Sequence, residues 1–81
     1  MAYETLNRLK WSGELGKCSV IIRSRGSQSD EKVIDGAEIG EIKKTYFTYS
    51  HYERETVIPN HRILRITKEG KTLWMKKTKK G

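Results

Sequence analysis

Residues 63–76 read ILRITKEGKTLWMK, and this stretch has the clearest hairpin pattern in the chain. Residues 63–67 and 71–76 are rich in the β-branched, leucine and aromatic side chains that pack on a sheet. The linking residues end in Gly70, which suits the left-handed backbone conformation of a bulged turn. The pattern therefore predicts two antiparallel strands joined by a short connection.

Four more short strands are predicted before this hairpin, at residues 17–25, 31–35, 44–50 and 56–58. In the first of them, alternation predicts an apolar face with Val20 and Ile22, while Ile21 points to the opposite face. The last of them ends at Pro59, which cannot donate a ladder hydrogen bond and is typical of a strand end or an edge.

The beginning of the chain shows helical spacing instead. Residues 3–11 place Leu6 and Leu9 on one face of a short helix, which Ser12-Gly13 ends. Because an isolated helix of two to three turns is marginal in water, this apolar face must pack against another element.

Residues 37–42 are ambiguous, but Ile39 and Ile42 are three apart, which favours a helical turn over a strand. The whole order of elements predicts an α+β domain. Its short N-terminal helix would pack on a curved antiparallel sheet of five or six strands, and such a sheet could form a small open barrel.

The 81 residues fit one domain, which we expect to cover residues 1–75, with residues 76–81 as a flexible basic tail. The single cysteine, Cys18, excludes an internal disulfide and a thiolate zinc site, and predicts a cytoplasmic protein. No apolar run is long enough to cross a membrane, so we expect no membrane partner. We also expect no metal and no other cofactor.

The net charge of +7 is concentrated at the end of the chain. Residues 1–60 hold nine basic and nine acidic residues, whereas residues 61–81 hold eight basic residues and one acidic residue, Glu69. A basic end on a neutral body suggests contact with a polyanion, and nucleic acid is the usual polyanion in a cell. The alternative interpretation is that the basic end is a solubilising tail. Under both interpretations the basic end includes Lys76, Lys77, Lys79 and Lys80.

The most unusual stretch is IPNHRI at residues 58–63. The fixed φ of Pro59 predicts a sharp bend or a short 3₁₀ turn that presents His61 and Arg62. Histidine donates or accepts hydrogen bonds and arginine forms a fork to phosphate, so the pair suits a terminal or cyclic phosphate. Alternatively, His61 bonds a backbone carbonyl of the turn and Arg62 pairs with an acid such as Glu55.

Two other groups are candidates for nucleic-acid contact. Arg23 and Arg25 share one face of a predicted strand, as an anion platform or as a solvated outer face. Lys10 and Trp11 place a cation beside an aromatic ring that could stack a base, although a tryptophan in a thin core is more often a packing residue. The same two alternatives hold for Trp74.

Enzyme motifs are missing from the sequence. No Gly-rich phosphate loop, dinucleotide fingerprint or nucleophile elbow occurs. The two histidines lack the paired His-x-Thr/Ser motifs of two-histidine phosphoesterases, because His51 precedes Tyr-Glu and His61 precedes Arg-Ile. We therefore expect no enzyme, and a cyclic-phosphate hydrolase that uses His51 and His61 is the alternative.

The motifs together resemble a known family. They are LNRLKW at residues 6–11, Arg25 after a predicted strand, IPNHRI at residues 58–63, and Gly70 followed by Trp74. This order is similar to L-N-x-[IL]-x-W, Arg, I-P-x-H-R-I, Gly and Trp in a small, largely archaeal family of uncharacterised proteins. That family is proposed to be an RNA domain that recognises cyclic-phosphate ends. The resemblance spans nearly the whole chain, but Ser-Gly follows the first tryptophan where the family often has Asp-Pro.

The resemblance implies a non-catalytic module that binds RNA 3′ ends with a phosphate or 2′,3′-cyclic phosphate, in RNA repair or processing. His61 and Arg62 would contact the phosphate, and Arg25 would add a cation. Trp11 or an exposed tyrosine would stack the terminal base. In larger proteins of that family the domain is fused to RNA-ligase-like or phosphoesterase-like domains. This implies that a separate RNA ligase or phosphoesterase is a partner of this chain. The alternative is a general basic domain for RNA or ribonucleoprotein without end specificity.

Overall fold

The computed structural model describes residues 2–24 and 30–76. It contains one helix, α1 (Ala2–Ser12), and seven strands, which are β1 (Cys18–Arg23), β2 (Glu31–Asp35), β3 (Ile39–Ile42), β4 (Tyr46–His51), β5 (Arg54–Pro59), β6 (Ile63–Lys68) and β7 (Lys71–Met75). Three short 3₁₀ turns lie at Leu15–Lys17, Gly36–Glu38 and Asn60–Arg62. Across these described residues, no helix is both long and apolar enough to span a membrane.

The strands form two antiparallel sheets. One has four strands in the order β2-β1-β6-β7, and the other has three in the order β3-β4-β5. The predicted α+β class is confirmed, but the prediction of a single curved sheet of five or six strands is wrong. Within the described part of the chain the strands do not close into a barrel.

The extra strand is β3, where the sequence favoured a helical turn. Ile39 pairs with Tyr49 and Ile42 pairs with Phe47, so three steps on β3 lie opposite two steps on β4. A bulge adds one residue to the two-residue alternation of side chains along a strand. The two isoleucines can therefore lie three residues apart in a strand. The only helical part of this segment is the 3₁₀ turn at Gly36–Glu38.

The two sheets are connected by two of the 3₁₀ turns. The chain leaves the four-stranded sheet through Gly36–Glu38, here called the Gly36 turn, which lies between β2 and β3. It returns through Asn60–Arg62, here called the Asn60 turn, which lies between β5 and β6. The bend predicted after Pro59 is therefore confirmed as a 3₁₀ turn.

One hydrophobic core joins the helix to both sheets. Leu6 and Leu9 are buried as the helical spacing predicts, and they share the core with Val20, Ile22, Ile34, Phe47, Tyr49, Ile58, Ile63 and Ile66. Burying a leucine or isoleucine side chain contributes about 1.5–3 kcal/mol relative to exposing it, so this contact holds a helix that is marginal alone. Ile21, predicted on the opposite face of β1, is also buried.

Cys18 lies in this core as well. Its thiol is buried, and removal from water raises the pKa of Cys18 above its ordinary value. The Sγ atom lies 3.4 Å from the carbonyl oxygen of Glu14, to which the thiol donates. Cys18 therefore stays protonated at neutral pH and acts as a small core side chain.

Tight two-residue turns close the last two hairpins. Tyr52 and Glu53 join β4 to β5 with φ of 51° and 62°, and Glu69 and Gly70 join β6 to β7 with φ of 50° and 85°. Two central residues with positive φ suit the right-handed twist of paired strands. The left-handed conformation predicted for Gly70 is confirmed.

Candidate nucleic-acid interface

The Asn60 turn is fixed by its first residue. The backbone N–H of Asn60 donates to the carbonyl of Thr45 at 2.9 Å. Its Nδ2 donates to the carbonyls of Lys43 and Lys44 at 2.8 and 3.0 Å. The turn is therefore tied to the connection between β3 and β4, and this holds the two residues that follow Asn60 at a defined place on the surface.

Those two residues, His61 and Arg62, are both exposed. Neither side chain makes a hydrogen bond or ion pair with any of residues 2–24 and 30–76. The structure thus shows neither the bond from the His61 side chain to a carbonyl nor the Arg62–Glu55 ion pair that the sequence left as alternatives. Within the described part of the chain, both side chains therefore have hydrogen-bonding groups available for another partner.

A bulge between β1 and β6 brings a second arginine to this turn. Ile21 pairs with Arg65 and Ile22 pairs with Ile63, so Leu64 is the additional residue on β6. In this register the next residue of β1, Arg23, lies at the same end of the strand pair as Arg62. Bulges commonly re-aim side chains beside functional sites, and here the bulge brings Arg23 and Arg62 to the same end of the strand pair, where both line one pocket.

These residues line a pocket of about 490 Å³, here called the cationic pocket. Its described lining residues are Arg23, Ser24, His61, Arg62, Leu64 and Lys76, and none of these six is acidic. Lys76 is held there because its backbone N–H donates to the Leu64 carbonyl at 2.8 Å and its Nζ donates to the His61 carbonyl at 2.7 Å.

The cationic pocket has the chemistry of an anion site. Arg23 and Arg62 each present a planar fork that matches two oxygens of a phosphate, and the His61 imidazole and the Lys76 ammonium add single donors. The like charges of these groups repel one another, and a bound anion relieves this repulsion.

A second pocket of about 420 Å³, here called the aromatic pocket, adjoins the first. Tyr3 from the start of α1, Ile63 from β6 and Trp74 from β7 provide its apolar walls, and His61 and Lys76 line both pockets. Trp74 is half-buried and packs on the core, yet it also lines this pocket. It is therefore a core packing residue that also lines a pocket, and its stacking on a base stays a prediction.

The remaining predicted site residues are not in these pockets. Lys10 donates to the Gly40 carbonyl at 3.2 Å, and Trp11 is 85% exposed at the other end of α1. Neither lines the cationic or the aromatic pocket, and their roles stay predictions. Arg25, Lys77, Lys79 and Lys80 lie outside the described residues.

The two histidines are far apart. His51 pairs with Arg54 at one end of the β4–β5 ladder, and Tyr46 pairs with Pro59, just before the Asn60 turn, at the other end. Five strand steps separate these ends by roughly 16 Å. The imidazole of His51 lies 2.7 Å from a Glu38 carboxylate oxygen instead. Among the described residues, no group of three or more His, Cys, Asp or Glu side chains is placed to hold a metal.

Sequence reasoning missed the roles of Tyr3 and Asn60. Tyr3 precedes Leu6 by three residues, so the helical spacing already placed it beside the buried face. Asn60 follows a proline at a strand end, where a short polar side chain commonly bonds nearby backbone groups. Its Oδ1 is buried and has no hydrogen-bond partner in the described chain, so the two bonds of Nδ2 outweigh that cost.

The fold and the site define a small α+β domain with a cationic pocket of the kind that binds phosphate groups. The chain belongs to the MJ1316 RNA cyclic group end recognition domain family, whose sequence profile matches residues 1–76. The resemblance seen in the sequence motifs is thereby confirmed, and the family description names RNA as the partner. No curated protein and no solved structure matches the chain significantly.

Proposed function

We propose that this chain is a non-catalytic domain that holds the 3′ end of an RNA, with the terminal 2′,3′-cyclic phosphate or phosphate in the cationic pocket. The observation that carries the proposal is the convergence of four basic side chains, from Arg23, His61, Arg62 and Lys76, without an acidic residue among the described lining. The family description supports RNA ends as the ligand class.

The side chains divide the work by their geometry. Arg62 and His61 contact the phosphate oxygens, because they follow the fixed Asn60 and carry no other side-chain partner in the described residues. Arg23 supplies a second fork from the end of β1. Lys76 is already bonded to the His61 carbonyl, so it adds its charge to the pocket and stabilises the turn.

The basic segment after Lys76 adds affinity of a different kind. Lys77, Lys79 and Lys80 attract the RNA backbone without sequence or end preference, and this attraction weakens steeply with salt. We expect Arg25 to add to this general attraction. The biological setting we propose is RNA repair or processing, in which a separate ligase or phosphoesterase acts on the end.

Preference among end chemistries separates a shaped site from a simple charge effect. A cyclic phosphate is a monoanion, whereas a terminal monophosphate carries about −1.5 to −2 at neutral pH. Attraction by charge alone would therefore favour the monophosphate. We expect tighter binding of the cyclic end, because the cationic pocket and the adjoining aromatic pocket would hold the phosphate and the ribose in one arrangement.

The experiment is direct binding of one short RNA with a 3′-hydroxyl, a 3′-monophosphate or a 2′,3′-cyclic phosphate, at two salt concentrations. Tighter binding of the cyclic end that persists at the higher salt supports the proposal. Equal, salt-sensitive binding of all three ends refutes it and leaves general RNA binding by the basic segment. Removal of residues 77–81 should weaken every complex and keep the order of preference.

Matched arginine variants locate the effect. Arg62→Ala and Arg54→Ala each remove one exposed arginine, but Arg54 lies at the far end of β5. Only Arg62→Ala should lose affinity for the cyclic end, by about tenfold to a hundredfold. Equal losses in the two variants would mean that net charge, not the pocket, governs binding.

The non-catalytic part of the proposal has its own test. A nucleoside 2′,3′-cyclic phosphate incubated with concentrated protein should remain intact. Turnover that His61→Ala abolishes and His51→Ala preserves would contradict it and make the cationic pocket an active site.

A further inference from the structure

We propose that the aromatic pocket binds the terminal nucleobase of the same RNA end whose phosphate lies in the cationic pocket. This inference rests on the proposed function, because it assigns the neighbouring part of one ligand. The unit that is recognised is then a complete nucleotide, with base, ribose and phosphate.

The walls of the aromatic pocket suit a flat ring. Tyr3 and Trp74 are half-buried, so each side chain is held by the protein and keeps one part open. Trp74 is further fixed because its strand position pairs with Ile66 in the core. Nucleobases stack on such aromatic side chains in single-stranded RNA recognition, and a pocket of about 420 Å³ is within the usual size range for small ligands.

The two pockets meet at one boundary. His61 and Lys76 line both, and the bond from Lys76 Nζ to the His61 carbonyl at 2.7 Å fixes this boundary. In a terminal nucleotide only the ribose separates the base from the 3′ phosphate. A single nucleotide can therefore place its phosphate on one side of His61 and Lys76 and its base on the other.

The charge around the aromatic pocket favours this occupant over an apolar peptide. Lys44 and Lys76 both line it, so its rim is positive although its walls are apolar. A ligand that joins a flat ring to a negative group matches both properties. An uncharged apolar segment would match only the walls.

The test uses two short RNAs that both end in a 2′,3′-cyclic phosphate and differ only in the terminal base, which one of them lacks. The unmodified protein should bind the abasic RNA about tenfold to a hundredfold more weakly, the range expected for one stacked base. Equal binding of the two RNAs overturns the inference. The same result would leave the proposed phosphate site intact if the cyclic end were still preferred.

Variants separate the two pockets. Tyr3→Ala should bring the affinities for the two RNAs closer together, while the preference for the cyclic end over the hydroxyl end persists. Arg62→Ala should do the reverse, with weaker binding of both RNAs and an unchanged ratio between them. Tyr52→Ala, which removes a tyrosine that is 90% exposed at the β4–β5 turn, should change neither ratio.

Trp74 also packs on the core, so a spectroscopic measurement replaces its mutation. The chain has two tryptophans, and Trp11, for which the sequence predicted the stacking role, does not line this pocket. Trp11→Phe keeps an aromatic ring at that position and leaves Trp74 as the only tryptophan. In this background, saturation with the base-bearing RNA should quench Trp74 fluorescence, and saturation with the abasic RNA should not. An identical fluorescence response to both RNAs would contradict stacking on Trp74.

Discussion

The Gly36 turn and the Asn60 turn are the same kind of element used for two purposes. Each is a 3₁₀ turn of three residues that carries the chain between the two sheets. In the Gly36 turn, the Asp35 carboxylate accepts from the Ala37 N–H at 2.9 Å, and Gly36 is buried. The Asn60 turn has no such cap and no buried residue, and it exposes two basic side chains.

The sequences around the two turns have a common framework. Residues 33–39 read VIDGAEI and residues 57–63 read VIPNHRI, so each turn has Val-Ile before it and Ile at the start of the next strand. The first isoleucine of each segment is buried and the valine is exposed. The shared apolar residues specify where the chain passes from one sheet to the other. The four residues between the isoleucines decide whether the turn is buried or exposes its side chains.

Breaking the structural turn should have the largest effect. In Gly36→Ala the new Cβ would lie 1.9 Å from the Leu15 carbonyl oxygen, which is backbone and cannot move away cheaply. We expect a loss of about 3 kcal/mol in the free energy of unfolding, measured by urea denaturation. Gly16→Ala is the matched control, because Gly16 directly follows Leu15 in the chain. Its new Cβ would lie 3.9 Å from the Cβ of Ala37, which is an ordinary van der Waals contact. Comparable losses in both variants would contradict this account of the close approach.

Removing the exposed groups of the other turn should affect binding instead. The double variant His61→Ala/Arg62→Ala removes the two side chains that we propose bind the phosphate, and neither makes a hydrogen bond or ion pair with the described residues. We expect about a hundredfold weaker binding of cyclic-ended RNA and an unchanged denaturation midpoint. A large fall in stability would show that these side chains support the fold, which would remove the contrast between the two turns.

The two turns also illustrate which parts of the fold could be predicted from the sequence. The period of three in Leu6 and Leu9 reported burial directly, and the proline before Asn60 marked the turn. The alternation in β1 placed Val20 and Ile22 in the core but missed the burial of Ile21. The pattern that failed was Ile39 and Ile42, because a bulge in a strand produces the same spacing as a helical turn. One sequence gives no information on register between distant strands.

The candidate site was predictable only in part for the same reason. His61 and Arg62 stood out because proline, histidine and arginine fall within four consecutive residues of the sequence. Lys76 and Trp74 reach them only through the pairing of β6 with β7. Their place beside the turn is a consequence of the sheet, and local composition does not report it.

Substitution of the residue that fixes each turn should have an effect of intermediate size. Asn60→Ala removes two hydrogen bonds to the carbonyls of Lys43 and Lys44, and Asp35→Ala removes the cap of the Gly36 turn. Each should cost about 1–2 kcal/mol of stability in urea denaturation. Only Asn60→Ala should also weaken binding of cyclic-ended RNA and reduce its preference over the hydroxyl end. Retained end preference in that variant would show that the turn does not need Asn60 to place its cations.

The smallest expected effect comes from an ion pair that belongs to neither turn. The ammonium of Lys68 on β6 lies against the Glu14 carboxylate and holds the pKa of Glu14 below its ordinary value of 4.5, while Glu14 raises the pKa of Lys68 above 10.5. Both side chains are partly exposed, so solvent screens the pair.

A group with a lowered pKa in the folded state stabilises the fold above its ordinary pKa, and this stabilisation disappears as the pH falls through the lowered value. The difference in unfolding free energy between the unmodified chain and Glu14→Gln should therefore be largest near neutral pH and shrink below about pH 4.5. It should shrink again above pH 10.5, because the contribution of Lys68 disappears as the pH rises through its raised pKa. Glu55→Gln, which changes an exposed carboxylate without an ion pair in the described chain, is the control. A difference for Glu14→Gln that does not vary with pH would show that packing of the side chain, not its charge, joins the segment after α1 to β6.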